Sequence, residues 1–163
     1  ALWTYAMWRS FKWLNRRSKI LEAARIAPTA ANAQSQRLLV ISSQEGKEKL
    51  SKGVNYHGAP LAIIVCGDHS DVFVRPFDKK DMVSVDATIV ADHIVFEAED
   101  LGLSSCWLTY FDPAIIRKEF NIPSNLEPIA IIALGYADTE KASPDRHSRD
   151  RKSLESLVCY ETF

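Results

Sequence analysis

The residues of this 163-residue chain that could do chemistry fall into a few small groups. His93 and Glu97 stand four apart, with Asp86, Asp92 and Asp100 close by, a set of nitrogen and oxygen donors that could converge on a metal. A single histidine is a poor zinc set, which usually needs more nitrogen or sulfur, so the expectation is the solvated face of a helix and no metal site. Asp68-His69-Ser70-Asp71 has the residue types of a nucleophilic triad. Triad members converge from separate elements, however, so a polar loop after a strand is expected here. Cys106 follows Ser105 in an apolar run and reads as a small buried hydrophobe rather than a nucleophile.

Two groups carry more. From Ala27 to Gln34 the chain reads APTAANAQ, in which Thr29, Asn32 and Gln34 offer hydrogen-bonding groups from a loop between a helix and a strand. From Arg146 to Lys152 it reads RHSRDRK, with guanidiniums close enough to grip one phosphate through bidentate forks.

The elements that must position these groups follow from pattern. Ile20, Leu21, Ala24 and Ala27 recur at helical spacing, and Pro28 ends the run by biasing its predecessor away from the helical region. Residues 37–42 and 60–66 are short apolar runs rich in branched side chains and predict buried strands, with one or two helical turns over 45–50 between them. Residues 80–101 contain neither Gly nor Pro, and Val83, Ala87, Val90, Ala91, Ile94, Ala98 and Leu101 predict a long core helix ended by Gly102. A strand is expected over 104–110, then Asp112 as an N-cap with Pro113 at the first helical position, a helix over 114–120, and a buried strand over 127–136. Beyond a polar stretch, Leu154, Leu157 and Val158 turn apolar again and are expected to dock. Four strands interleaved with helices give an α+β or α/β class.

Composition bounds the rest. With 20 basic and 21 acidic side chains, the net charge of −1 gives no footprint for nucleic acid. Cys66, Cys106 and Cys159 lie far apart, which favours reduced thiols in a cytoplasm over a disulfide framework. No apolar run reaches the roughly 18 residues of a membrane span, and the opening ALWTYAMWRSFKWLN does not read as a signal peptide. Trp3, Trp8 and Trp13, with Tyr5 and Phe11 between them, make residues 1–17 an aromatic arm that either packs on a partner or is a free end. Residues 18–163 form a single domain. Dinucleotide, P-loop and G-x-S-x-G motifs are missing.

In order along the chain, EAARIAPTAANAQ, the helix from Asp86, GLSSCWLTYFDPAIIRKEFNIP and EPIAIIALGYAD resemble the nitroreductase family of FMN-dependent oxidoreductases, over residues 18 to 160. The resemblance implies an α+β fold with a central mixed sheet flanked by helices around a long core helix. It also implies a homodimer with FMN at the interface, and NAD(P)H as co-substrate. By the same resemblance Arg16, Arg17 and Ser18 match an N-terminal Arg-x-Ser, and Arg149 and Arg151 a late basic pair, both holding the FMN phosphate. Pro28, Thr29, Ala30 and Asn32 would reach the flavin ring, and Trp107, Leu108, Thr109 and Tyr110 its reactive edge, largely through backbone. Family members carry a linker after Arg-x-Ser, whereas here Ser18 runs almost directly into Ile20.

The implied activity is ping-pong reduction of nitroaromatics, quinones or similar acceptors through flavin N5, with no catalytic side chain of the protein's own. A phosphate wants charge-assisted donors and a reduced flavin wants fixed N–H groups, while hydride chemistry belongs to the cofactor. The alternatives left open are a flavin-binding or partner-binding protein of the same fold without turnover, and a specialised dehalogenase or dehydrogenase.

Overall fold

The computed structural model describes residues 15–137, 143 and 145–163. Most of the aromatic arm therefore lies outside the described residues, and residues 15–17 are the first of helix α1, residues 15–26. Ile20 and Ala24 on that helix and Ala27 just beyond it are buried at the predicted spacing, and the chain leaves the helical path at Pro28. There follow a 3-10 turn (Ala30–Asn32), β1 (Gln36–Ile41), α2 (Gln44–Ser51), β2 (Leu61–Asp68) and α3 (Val83–Asp100). The chain continues through β3 (Ser104–Leu108), α4 (Pro113–Phe120), β4 (Leu126–Gly135), α5 (Arg146–Arg149) and a last 3-10 turn (Leu154–Ser156).

The strands form one sheet in the order β1-β2-β4-β3. All three pairings are antiparallel: Gln36 faces Gly67, Leu61 faces Leu134 and Ser104 faces Gly135. The α+β class holds, but the described strands include no parallel pair, so the mixed character expected of the sheet is not found among them. Sequence runs predict strands and not their neighbours, because pairing direction is decided by where the crossovers pass.

Period-2 alternation on β2 divides the core. Leu61, Ile63 and Val65 face a layer made by α1 and α3, with Ile20, Ala24, Val90, Ala91 and Ile94. Ala62, Ile64 and Cys66 face the opposite layer, with Leu50 of α2 and Ile116 of α4. All eight residues of β2 are buried, as a strand covered on both faces must be. The result is three layers, helix, sheet and helix, and removing a side chain such as Ile63 or Ile64 costs about 2–5 kcal/mol in a site of this kind.

Two local devices shape the end of the sheet where β1 and β4 begin. The register of β2 on β4 slips between Val65 and Cys66, so that Val65 faces Ala130 and Cys66 faces Pro128. Pro128 has no N–H to donate and sits at this bulge, where a ladder bond is already missing. At the same end Gly67 lets α3 come close, since a Cβ there would stand 2.6 Å from Val83 Cγ1.

Two expectations fail outside the core. Cys106 is not buried, because β3 is an edge strand whose residues are exposed or half-buried. Leu154, Leu157 and Val158 do not dock on their own chain, and the whole run 145–163 is exposed. Apolar spacing indicates that a segment seeks cover without indicating whose surface supplies it.

Candidate functional site

The loop after α1 is tightly constrained by its own hydrogen bonds. Thr29 O accepts the Asn32 N–H at 3.0 Å and Ala30 O the Ala33 N–H at 3.1 Å. The Gln34 N–H donates to Thr29 Oγ1 at 3.0 Å. Ala31, Asn32 and Gln34, none of them glycine, hold φ values of 52°, 55° and 54°. Three left-handed residues in four positions persist only where surroundings over-determine them. Part of that constraint comes from α3, where the carboxylate of Asp86 accepts the Ala30 N–H at 2.8 Å.

Asp86 was expected on a solvated helix face with Asp92 and Asp100, and the structure corrects this: it is 1% exposed. The sequence did carry a signal, for residue 86 lies three after Val83 and four before Val90, inside the apolar stripe of α3. His93 turns to its own helix instead, its Nδ1 at 2.9 Å from Ile89 O.

Below the loop, Arg37 stitches β1 to β2. Its guanidinium donates to Gln34 O and Gln36 O at 3.2 and 3.0 Å and reaches Asp71 Oδ2 at 2.9 Å and Asp68 Oδ2 at 3.4 Å. Hydrogen bonds from the Ser70 hydroxyl, Asn125 and the Ser70 N–H, with the charge of Arg37, hold the Asp68 carboxyl down to about 2. His69 stands between Asp81 Oδ2 at 3.3 Å and Glu127 Oε2 at 2.7 Å. The 68–71 group is thus the expected polar loop, and its members brace the sheet end. Cys66 is equally unsuited to act as a nucleophile, since burial pushes its thiol up to about 11.

Across the sheet, β3 ends with Trp107 and Leu108, and Thr109 and Tyr110 continue beyond it, two residues shorter as a strand than predicted. Tyr110 is 97% exposed. Asp112 caps α4 as expected, accepting the N–H groups of Ala114 and Ile115 at 2.9 and 3.0 Å. Two open clefts flank this turn. One of ≈ 370 Å³ runs between Thr109, Arg117 and the bulge at Glu127–Ile129, and one of ≈ 630 Å³ between Tyr110, Phe111, Val54 and Asn55.

The structure brings some of the sequence-predicted residues together and keeps others apart. The loop of Pro28, Thr29, Ala30 and Asn32 precedes β1 and the turn of Thr109 and Tyr110 follows β3, so both run toward the same end of the sheet, while the register sets Leu108 level with Leu39 through Ile131 and Ile64. β1 and β3 are the opposite edges of the sheet, three strand spacings or about 14 Å apart, and the loop is tied to α3 on one face while the turn leads into α4 on the other. Arg16, Arg17 and Ser18 lie in the first described turn of α1, about 15–18 Å along the helix from the loop. The Arg16 guanidinium lies over the Tyr136 ring, 5.5 Å from its centroid. Arg149 and Arg151 are exposed in the tail, the Arg149 Nε 3.8 Å from Asp150 Oδ1. Neither arginine group lines either cleft.

Comparison with known proteins identifies the family. The family model described as "Nitroreductase family" matches residues 14–56 and 52–136, which includes Arg16 to Ser18, both loops and all four strands but not the basic tail. A nitroreductase family protein of known structure from Clostridium difficile 630 is 50% identical, with a TM-score of 0.89 over 91% of this chain and 87% of its own. An FMN-dependent nitroreductase from Clostridium difficile R20291 is 30% identical, with a TM-score of 0.72 over 91% and 88%. A protein from Archaeoglobus fulgidus, provisionally named an NADH dehydrogenase/NAD(P)H nitroreductase, is 31% identical over 82% of this chain and 80% of its own. With this fold, these matched segments and these relatives, the chain belongs to the nitroreductase family.

Proposed function

We propose that this protein is an FMN-dependent oxidoreductase that takes hydride from NAD(P)H and passes it to nitroaromatics, quinones or similar acceptors in a ping-pong cycle. The observation that supports the reading is the constrained Thr29–Asn32 loop, set toward the end of the sheet to which the exposed Thr109–Tyr110 turn also runs. Groups whose residue types could do protein-based chemistry are otherwise engaged: Asp68 is held ionised, Cys66 is buried, and His69 is tied to two carboxylates.

The residues present suit a flavin mononucleotide. Its phosphate wants several charge-assisted donors, and exposed Arg149 and Arg151 in the tail, with Arg16, Arg17 and Ser18 on α1, are the two grips proposed for it. Pro28, Thr29, Ala30 and Asn32 are assigned to one side of the ring, and Trp107, Leu108, Thr109 and Tyr110 to its reactive edge. When bound, FMN supplies acceptance and delivery of hydride at N5. The chain's own part is to bind, to orient and to keep the loop from collapsing, so that nicotinamide or acceptor meets the ring at reacting distance.

Neither of the two clefts described above holds either arginine group or the loop, and the site is proposed to be completed by a second copy across a homodimer interface. Large exposed apolar side chains fit that assembly: Phe96 on α3 is 67% exposed, and Leu154, Leu157 and Tyr160 extend in the tail. Among the described residues no helix is long and apolar enough to cross a membrane, and three free cysteines suit a reducing cytoplasm.

The test is an anaerobic absorbance spectrum of protein loaded with FMN and desalted, before and after NADH or NADPH. Retained bands that bleach with a nicotinamide and return with a quinone or nitroaromatic are expected. Retained flavin that neither nicotinamide reduces would replace this reading with a flavin-binding protein without turnover, and no retained flavin would end both.

A further inference from the structure

We propose that Asp86 is the positioning residue of the ring-facing loop, acting from the buried side of Ala30 to fix that loop on the sheet. The proposal rests on the flavin reading for what the loop is positioned to do. It rests on the structure alone for the positioning itself.

Asp86 is buried in the first turn of α3, its N–H donating to Met82 O at 2.8 Å and its Oδ1 accepting the Ala30 N–H at 2.8 Å. An acidic residue near a helix N-terminus needs only to be exposed there to complement the helix dipole. Burial beneath a loop, with a bond to a residue 56 positions away, is not accounted for by that role.

The remaining polar atoms point the same way. Among the described residues, Asp86 Oδ2, Ser35 Oγ and Gln36 Oε1 are buried without a hydrogen-bond partner, and they lie at the start of β1, just before it, or on the residue that holds the loop. The loop needs an external anchor because its internal bonds, Asn32 to Thr29 and Gln34 to Thr29, fix its shape without fixing its place. Asp86 fixes the place by tying Ala30, the residue just before the left-handed run, to the helix that packs over Gly67.

The experiment compares Asp86→Ala, Asp86→Asn and Ala30→Pro in the full chain. Asn keeps an acceptor for the Ala30 N–H. Proline removes that N–H from the other side, at the first position of the 3-10 turn and after Thr29, whose extended φ of −131° and ψ of 157° a following proline prefers. Two readouts are taken: FMN dissociation constants with the visible circular dichroism of the bound flavin, and amide exchange over residues 28–36 without flavin.

Asp86→Ala and Ala30→Pro should each weaken FMN by about 10- to 100-fold, the range expected for leaving a buried partner unsatisfied. Combined, they should be no worse than the more severe of the two, since both cut one bond. Asp86→Asn should recover binding to within about threefold, the size of a modest hydrogen-bond difference. Exchange over 28–36 should quicken in the two disrupting variants and not in Asp86→Asn.

Unchanged exchange and unchanged FMN affinity in Asp86→Ala would overturn the positioning role, as would an Asp86→Asn as impaired as Asp86→Ala. If Asp86→Ala does not fold, Ala30→Pro and Asp86→Asn decide by the same two readouts. If the parent itself retains no FMN, the flavin reading fails, and the exchange data still decide whether Asp86 holds the loop.

Discussion

The guanidinium of Arg16 lies over the ring of Tyr136, 5.5 Å from the ring centroid, and so ties the first described turn of α1 to the residue that follows β4. A cation over an aromatic face at an exposed site is worth about 0.5–1 kcal/mol. Arg16→Ala should lower the unfolding free energy in urea by about that amount, Arg16→Lys by less, and Arg16→Ala in a Tyr136→Leu background by almost nothing. Stacking uses the face of the guanidinium and leaves its in-plane N–H groups free. FMN retention in Arg16→Ala/Arg17→Ala, set against that in Tyr136→Leu, which breaks the contact and keeps both arginines, reads the phosphate grip on α1 separately from this contact.

The tail grip is read the same way. Replacing Arg149 and Arg151 together with Ala should raise the FMN dissociation constant by about tenfold or more for each charge-assisted bond lost, and should flatten its dependence on salt. Full flavin retention after desalting would remove these two residues from the phosphate site.

Gly67 faces Gln36 across the β1–β2 pair, and α3 packs against it through Val83. Gly67→Ala forces a methyl within 2.6 Å of Val83 Cγ1, so the start of α3 must shift. Overpacking of this sort costs about 1–3 kcal/mol, measurable by urea denaturation. Because Asp86 lies one turn further along α3, the same variant should also weaken flavin binding. Gly67→Ala with parental stability would show the contact to be soft.

Asp68 sets an acid limit. Its carboxyl sits at about 2 when folded, against an ordinary 3.8, so it favours the native state wherever it is ionised in both states. That contribution is complete above about pH 4 to 5 and is lost as pH falls through the folded value near 2. Urea midpoints should fall across this window in the parent and fall less in Asp68→Asn, which starts lower at neutral pH. Parallel curves for the two proteins would exclude Asp68 as the source.

How much of this was legible depends on range. The Asp112-Pro113 start of α4, the doubly buried β2 and the long α3 are written in consecutive residues, and pattern recovers each within three residues of its observed end. The APTAAN loop was singled out by residue type alone, and its place on the sheet followed from the strand after it. Asp86 was legible only as a carboxylate standing in an apolar stripe, an anomaly resolved by the N–H of Ala30, far off in sequence. The bulge at Pro128, the antiparallel order of the sheet and the exposure of the tail depend on neighbours that no local window contains. The same holds for Cys106, which looked buried because an apolar run does not reveal that its strand lies at an edge.

The sheet order also sets a timetable for synthesis. β2 can pair with β1 as soon as both have emerged, but its other edge waits for β4, whose Leu134 faces Leu61 from roughly 70 residues further on. At about 5–20 residues per second the ribosome leaves that apolar edge open for about 4–14 s. Until β4 arrives, the most hydrophobic strand of the molecule is available to other nascent chains, and that interval is where chaperone protection has the most effect on yield.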